Sequence, residues 1–165
     1  MTRKIFFRPE RCLMCLSCVL SCQLNSLGIK DVRCLRPGEP LQRISPVFSR
    51  GTPWLRKCQH CSQAPCVEAC ISGSIRRKED GKGIEYRLET CVGCGSCLLA
   101  CPFSIPTLEG KGGRMSKCNL CPEEQIPPCV KSCQSQALVF QEIAKFSLEK
   151  KKGYVIHCRG THEPG

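Results

Sequence analysis

Hydrophobic positions along this chain come in short bursts, never in long stripes. SIRRK (74–78) and IEYRL (84–88) read as short strands on either side of the turn EDGKG, which predicts a β-hairpin. QALVFQEI (136–143) predicts another short strand, a counterpart of the first hairpin late in the chain. VLSCQLN and LLACPF predict short helices that follow the third cysteine of a cysteine group, and each group is expected to be followed in the same way. Beyond Ala144 the pattern changes again. AKFSLEKKK predicts a short amphipathic helix and GYVIHC a short strand. LRPGEPLQRISPVFSRGTP (35–53), with its prolines and glycines, reads as a connector. No stretch approaches the roughly 18 apolar residues needed to cross a bilayer. The opening MTRKIFFRPERC turns polar after two phenylalanines, unlike the apolar run of a secretory signal.

Composition explains why the bursts are so short. Aromatics make up 5% of the 165 residues, too few for a conventional core, whereas 18 residues are cysteine. Bound metal is therefore expected to supply stability that side-chain burial cannot. Reduced thiols and no visible targeting segment imply a cytoplasmic protein without a direct membrane span. The formal charge of +11 suggests nucleic acid only while every cysteine is counted as neutral. Four oxidised cubane sites would each carry about −2, roughly −8 in all, leaving about +3. No nucleic-acid partner is expected on that count.

Sixteen of the cysteines form four groups. Group I is Cys12, Cys15, Cys18 and Cys22, spaced C-x2-C-x2-C-x3-C. Group II is Cys58, Cys61, Cys66 and Cys70, and group IV is Cys118, Cys121, Cys129 and Cys133. Group III, Cys91, Cys94, Cys97 and Cys101, repeats the spacing of group I at a constant offset of 79 residues. KCQHC with CVEACISGSI likewise matches KCNLC with CVKSCQSQAL, but there the offset changes from 60 at Cys58 to 63 at Cys66. The order A-B-A′-B′ is that of a duplicated unit, with 35–53 as the surplus in its first copy.

This spacing suits iron–sulfur cubes. Three cysteines on an irregular loop can grip three corners of one cluster, while the fourth, placed to begin the following helix, points to a different cluster. Groups must then work in pairs, each lending its last thiol. A zinc ribbon leaves no role for a third cysteine at x2 spacing, although groups II and IV alone could pass for zinc knuckles. A zinc-dependent nucleic-acid-binding module is thus a distant alternative. Serine, histidine and carboxylate constellations for hydrolysis are absent, as is any GxxxxGK[ST] phosphate loop, so no catalytic residue is assigned.

The sixteen-cysteine order, over roughly residues 4 to 141, resembles the family of four-cluster ferredoxin-like electron-transfer subunits. Its members partner molybdenum or tungsten oxidoreductases, formate-linked hydrogenases and nickel carbon monoxide dehydrogenases. The resemblance implies an α+β fold of two interlaced bacterial-ferredoxin-like modules, small and loop-rich, around four [4Fe–4S] clusters. Residues 1–34 with 111–143 would form the outer module, 54–110 the central one, and 144–165 an extension that is either a flap or a partner-docking element. It also implies the ligand sets. One cluster would take Cys12, Cys15, Cys18 and Cys133, and its neighbour Cys22, Cys118, Cys121 and Cys129. A third would take Cys58, Cys61, Cys66 and Cys101, and a fourth Cys70, Cys91, Cys94 and Cys97.

The form CLSCVLSCQ in group I and the compact length look most like the small partner of a nickel carbon monoxide dehydrogenase. A cytoplasmic formate dehydrogenase, hydrogenase or tungsten/molybdenum aldehyde oxidoreductase is the alternative, with a second electron carrier as the other partner. Gln23 follows group I where Pro102 follows group III.

Several residues keep two readings. Met14 and Leu16 stand where group III has Gly93 and Gly95. They either lower the potential of the Cys12 cluster, by removing close N–H dipoles and adding apolar cover, or merely pack a local core. Lys57 and Lys117 each precede a CxxC and either offset cluster charge or sit solvated on the surface. His60 is expected to pack or hydrogen-bond beside the site without ligating. His157 and His162 are expected to be solvated, and Cys34 and Cys158 to be spare thiols.

Overall fold

The computed structural model describes residues 3–36, 43–81, 83–109 and 113–159, with the side chains of 153–159 left aside. Every sheet among these residues is a two-stranded antiparallel ribbon. The expected hairpin is β4 (Ile75–Arg77) with β5 (Ile84–Tyr86), in the register Ile75 to Tyr86. Ile75 and Ile84 are buried, and the Arg76–Glu85 ion pair lies across the ribbon. β8 (Leu138–Glu142) occupies the later predicted strand, and its partner is β1 (Arg3–Phe7) at the start of the chain. Ile5 lies opposite Phe140, and the Arg8 N–H extends the ladder to the Ala137 carbonyl at 2.8 Å.

Two further ribbons depart from expectation. The 35–53 stretch was expected to be a connector, yet β2 (Ile44–Ser49) and β3 (Thr52–Lys57) form a hairpin; residues 37–42 lie outside the described residues. Arg50 and Gly51 make its turn with φ of 49° and 77°, a pair of positive values that matches strand twist. Pro46 and Pro53 disguise these strands as a breaker-rich segment. They are tolerated because both strands of a two-stranded ribbon are edges. β6 (Thr107–Glu109) and β7 (Arg114–Ser116) pair as well, each too short to leave a period in the sequence.

The helices are α1 (Ser17–Leu27), α2 (Pro65–Glu68), α3 (Ser96–Ala100), α4 (Pro128–Lys131) and α5 (Ile143–Arg159). Gly28, with φ 67°, ends α1 by returning its N–H to Asn25 and Leu24. The strand expected at GYVIHC is instead the last part of α5. A lone strand there would need a neighbour for its backbone groups, whereas a helix already under way satisfies them internally. Phe146 of α5 stacks on Phe6 of β1 at 4.1 Å, and Glu149 accepts from Arg8 at 2.6 Å.

Two small cores result. One gathers Ala64, Cys66, Ile75, Ile84, Cys97 and Met115; the other Ile5, Ile44, Cys129 and Leu138. α1 packs on α4 around the second, and α2 on α3 around the first. Cysteine is part of both, so the thiols are core as well as candidate site.

Ile5, 3% exposed, joins the two chain ends through this second core. Ile5→Ala should cost about 2–5 kcal/mol. The check is a denaturant titration against wild type. A loss under about 0.5 kcal/mol would mean that the β1–β8 ribbon does not anchor the fold.

Candidate metal centres

Each cysteine group is a tight loop running into a short helix. Left-handed residues bend the loops: Met14 and Leu16 in group I, His60 in group II, Gly93 and Gly95 in group III, Leu120 and Cys121 in group IV. Cys18, Cys66, Cys97 and Cys129, the third of each group, lie in α1, α2, α3 and α4. Pro65 and Pro128 open α2 and α4, where the missing N–H costs nothing. The fourth cysteine does not begin a helix as expected. Cys22 lies inside α1, Cys101 caps α3, and Cys70 and Cys133 come just after α2 and α4. Third and fourth are four positions apart, about one turn, so they leave the helix at different levels.

The thiols come together in sets that cross between groups. Cys70, Cys91, Cys94 and Cys97 line one cavity. Cys58, Cys61, Cys66 and Cys101 line another. Cys22, Cys118, Cys121 and Cys129 line a third. Cys12, Cys15 and Cys133 are the thiols whose charges act on Cys18, and Ser132 beside Cys133 donates to the Ser17 carbonyl at 3.2 Å. Four sulfur donors lining one cavity suit an iron–sulfur cube. Among the described residues no three His, Cys, Asp or Glu side chains converge as they would on a single ion.

Burial dominates the acidity of the enclosed thiols. It pushes Cys22 up to about 12, and Cys97 and Cys121 up to about 11. Cys18, Cys66, Cys118 and Cys129 are raised for the same reason, reinforced by neighbouring thiolates. Only thiolates ligate iron, so loading such a site expels protons.

Two of the four sets share a different pattern. The Cys15 thiol is lowered by its contact with Ser17 at 3.5 Å, and Cys94 by Ser96 at 3.5 Å. Burial works against ionising Cys70, but the Ile75 N–H at 3.4 Å and Ser72 at 3.7 Å outweigh it. Cys133 has the matching Leu138 N–H at 3.4 Å and Ser135 at 3.7 Å. These serines were missed in the sequence, although C-x-S recurs at all four places.

Lys57 and Lys117 settle one open question, because neither is a surface residue: they are 6% and 1% exposed. Lys117 Nζ donates to the carbonyls of Ile84 at 2.8 Å and Cys118 at 3.2 Å, and lies 5.4 Å from the centre of the Tyr86 ring. Lys57 Nζ donates to Gln59 Oε1 at 3.3 Å. Burial lowers both ammonium groups, while Cys58 and Cys118 pull them back up. His60 packs and hydrogen-bonds as expected. Its Nδ1 accepts the Ile84 N–H at 3.0 Å, and burial, helped by Lys117 and Lys57, drives it down to about 3, so the ring is neutral. A Cβ on Gly83 would come within 2.9 Å of that nitrogen.

Met14 and Leu16 hold the same left-handed backbone as Gly93 and Gly95: φ is 53° and 60° against 69° and 77°. The expected loss of N–H dipoles therefore has no backbone difference behind it, and only side-chain cover separates the two loops. Cys34 is exposed; the side chains of His157 and Cys158, and all of His162, lie outside the described residues.

The family model for the 4Fe-4S dicluster domain matches residues 52–143. The thiosulfate reductase electron transfer subunit PhsB of Salmonella typhi is 31% identical over 154 residues, covering 87% of this chain and 78% of the relative. An iron-sulfur protein of Rhodospirillum rubrum is 30% identical over 176 residues, covering 96% and 92%. The iron-sulfur subunit of the nitrate-inducible formate dehydrogenase of Escherichia coli is 31% identical over 179 residues, covering 93% of this chain and 60% of that longer relative.

A leucine in the left-handed region costs about 1–2 kcal/mol, and Leu16, 52% exposed, recovers little of it by burial. Leu16→Gly should stabilise the iron-loaded protein by about 0.5–1 kcal/mol. A lower thermal midpoint would show that the Leu16 side chain contributes more than its backbone strain costs.

Proposed function

The chain belongs to the family of 4Fe-4S dicluster proteins, and from that membership we propose that it is a non-catalytic subunit relaying electrons along four [4Fe–4S] clusters in a cytoplasmic oxidoreductase complex. Such clusters supply one-electron exchange. The observation that carries the reading is the crossing of the thiols: three cavities each take three cysteines from one group and the last from another, and Cys133 acts on Cys18 alongside Cys12 and Cys15. In this reading the four ligand sets are those three cavity sets together with Cys12, Cys15, Cys18 and Cys133, and the chain forms an outer module from groups I and IV and a central one from II and III. The residues on either side of a short helix serve neighbouring sites, which pairs the Cys12 set with the Cys22 set and the Cys58 set with the Cys70 set. The action of the Cys58 thiolate on Cys118 supports the order Cys12 set, Cys22 set, Cys58 set, Cys70 set. Electrons enter and leave at the two ends, where Cys15 and Cys94 are exposed beside the apolar Leu13 and Val92.

For the partner, the named relatives favour the catalytic subunit of an oxidoreductase of the thiosulfate reductase or formate dehydrogenase kind, with a second electron carrier at the other end. A nickel carbon monoxide dehydrogenase is the second reading, favoured by the CLSCVLSCQ form of group I. Among the described residues no helix is long and apolar enough to cross a membrane.

Anaerobically purified protein should be brown and carry about sixteen irons. Cys133→Ala should abolish or convert one cluster, the one gripped by Cys12, Cys15 and Cys18, and leave about twelve irons in the other three. Iron and sulfide assays with EPR of the reduced protein check this. A colourless zinc protein would end the proposal, and a Cys133 variant disturbed only at the Cys118 site would refute the crossed ligation.

A further inference from the structure

Lysine is almost never fully buried without a partner, yet this chain buries two at equivalent points of its internal repeat. Among the described residues neither forms an ion pair with a carboxylate; their hydrogen bonds go to neutral oxygens and, for Lys117, the cation also faces the Tyr86 ring. An ammonium group held this way keeps its donors satisfied but its charge uncompensated. Its nearest anions would be sulfur.

Their positions are crossed. Lys117, which belongs to group IV, lines the cavity of Cys58, Cys61, Cys66 and Cys101. Lys57, which belongs to group II, is paired across the β2–β3 ribbon with Ile44, a wall of the Cys118 and Cys129 cavity, and the thiols of Cys118, Cys58 and Cys129 act on it. Both lysines therefore stand between the two inner sites. The two end sites have serine hydroxyls and a backbone N–H at their sulfurs instead.

We propose that Lys57 and Lys117 are a crossed pair of buried cations that compensates the charge of the two inner clusters and raises their reduction potentials, leaving the two end clusters outside its reach. The inference rests on the cluster-relay reading above. A positive charge shared by adjacent sites stabilises an added electron on either one, so it eases the hop between them and opposes the repulsion of two electrons held side by side. The same charge repays the burial of the lysines once the thiols are ligated thiolates. In this way the duplicated K-C-x2-C becomes a tuning device as well as a loop.

The test uses the full chain carrying its clusters, with Lys57→Gln, Lys117→Gln, the double variant, and Lys57→Arg and Lys117→Arg. Iron is counted first, and then all four couples are followed by EPR-monitored redox titration. Removing each charge should shift the reduction equilibrium of two of the four clusters toward the oxidised form by about tenfold, about 59 mV for a one-electron couple. The other two should hold still, and the arginine variants should stay near wild type. Should a glutamine variant lose iron while its arginine counterpart keeps both iron and potentials, charge is again shown to be the property that matters. Unchanged potentials, an equal shift of all four, or arginine variants that behave like glutamine would overturn the proposal. So would loss of iron from both variants at a position. Wild-type protein that holds no iron would instead sink the relay reading itself, before any lysine is changed.

Discussion

The last cysteine of a group, one helical turn beyond the third, lines a different cavity from it in this structure, and the rest of the fold depends on that division. In α1 it separates Cys18 from Cys22, and around α2, α3 and α4 it separates Cys66 from Cys70, Cys97 from Cys101, and Cys129 from Cys133. Each of the three thiol-lined cavities is completed by a cysteine from elsewhere in the chain. The consequence is long-range: the charge of Cys133 acts on Cys18, and the β1–β8 ribbon ties the same distant segments together. Sulfur placement and strand pairing make the same demand on the chain.

That division also explains why such a thin apolar core suffices. Ile5, Ile44 and Leu138 on one side, and Ile75, Ile84 and Met115 on the other, are small patches for a chain of 165 residues. Thiols occupy the space between them. Iron bound there would join segments far apart in sequence, and its binding energy would become folding energy. The buried lysines fit the same economy, since a cation that would be costly in an oily core is at home beside ligated thiolate.

What the sequence made legible was local. The 75–86 hairpin followed from two short strands around the turn EDGKG, and the cysteine spacing pointed to cubes because a zinc ribbon of two CxxC knuckles leaves no role for a third thiol at x2 spacing. Pairing across the chain was not legible in this way: no periodicity in RKIFF names β8 as its partner, and which groups share a site came from family resemblance. Pro46 and Pro53 concealed the β2–β3 hairpin because their cost depends on whether a strand is central or at an edge. Met14 and Leu16 looked unlike glycine, yet the loop imposes the same backbone on all four positions. Burial of Lys57 and Lys117 was invisible because a lysine beside a CxxC reads the same in or out of water. The C-x-S recurrence is visible in the repeat, but only the fold shows that each serine hydroxyl lies against its cysteine sulfur.

The most direct test of the crossed-thiol account is anomalous diffraction at the iron edge from anaerobically grown crystals, which locates every iron and the sulfur that holds it. The account predicts four cubes in a row, each bonded by three cysteines of one group and the last cysteine of another, with Cys133 on the cube held by Cys12, Cys15 and Cys18. Cubes each closed by the four cysteines of a single group, or isolated metal ions in place of cubes, would contradict it.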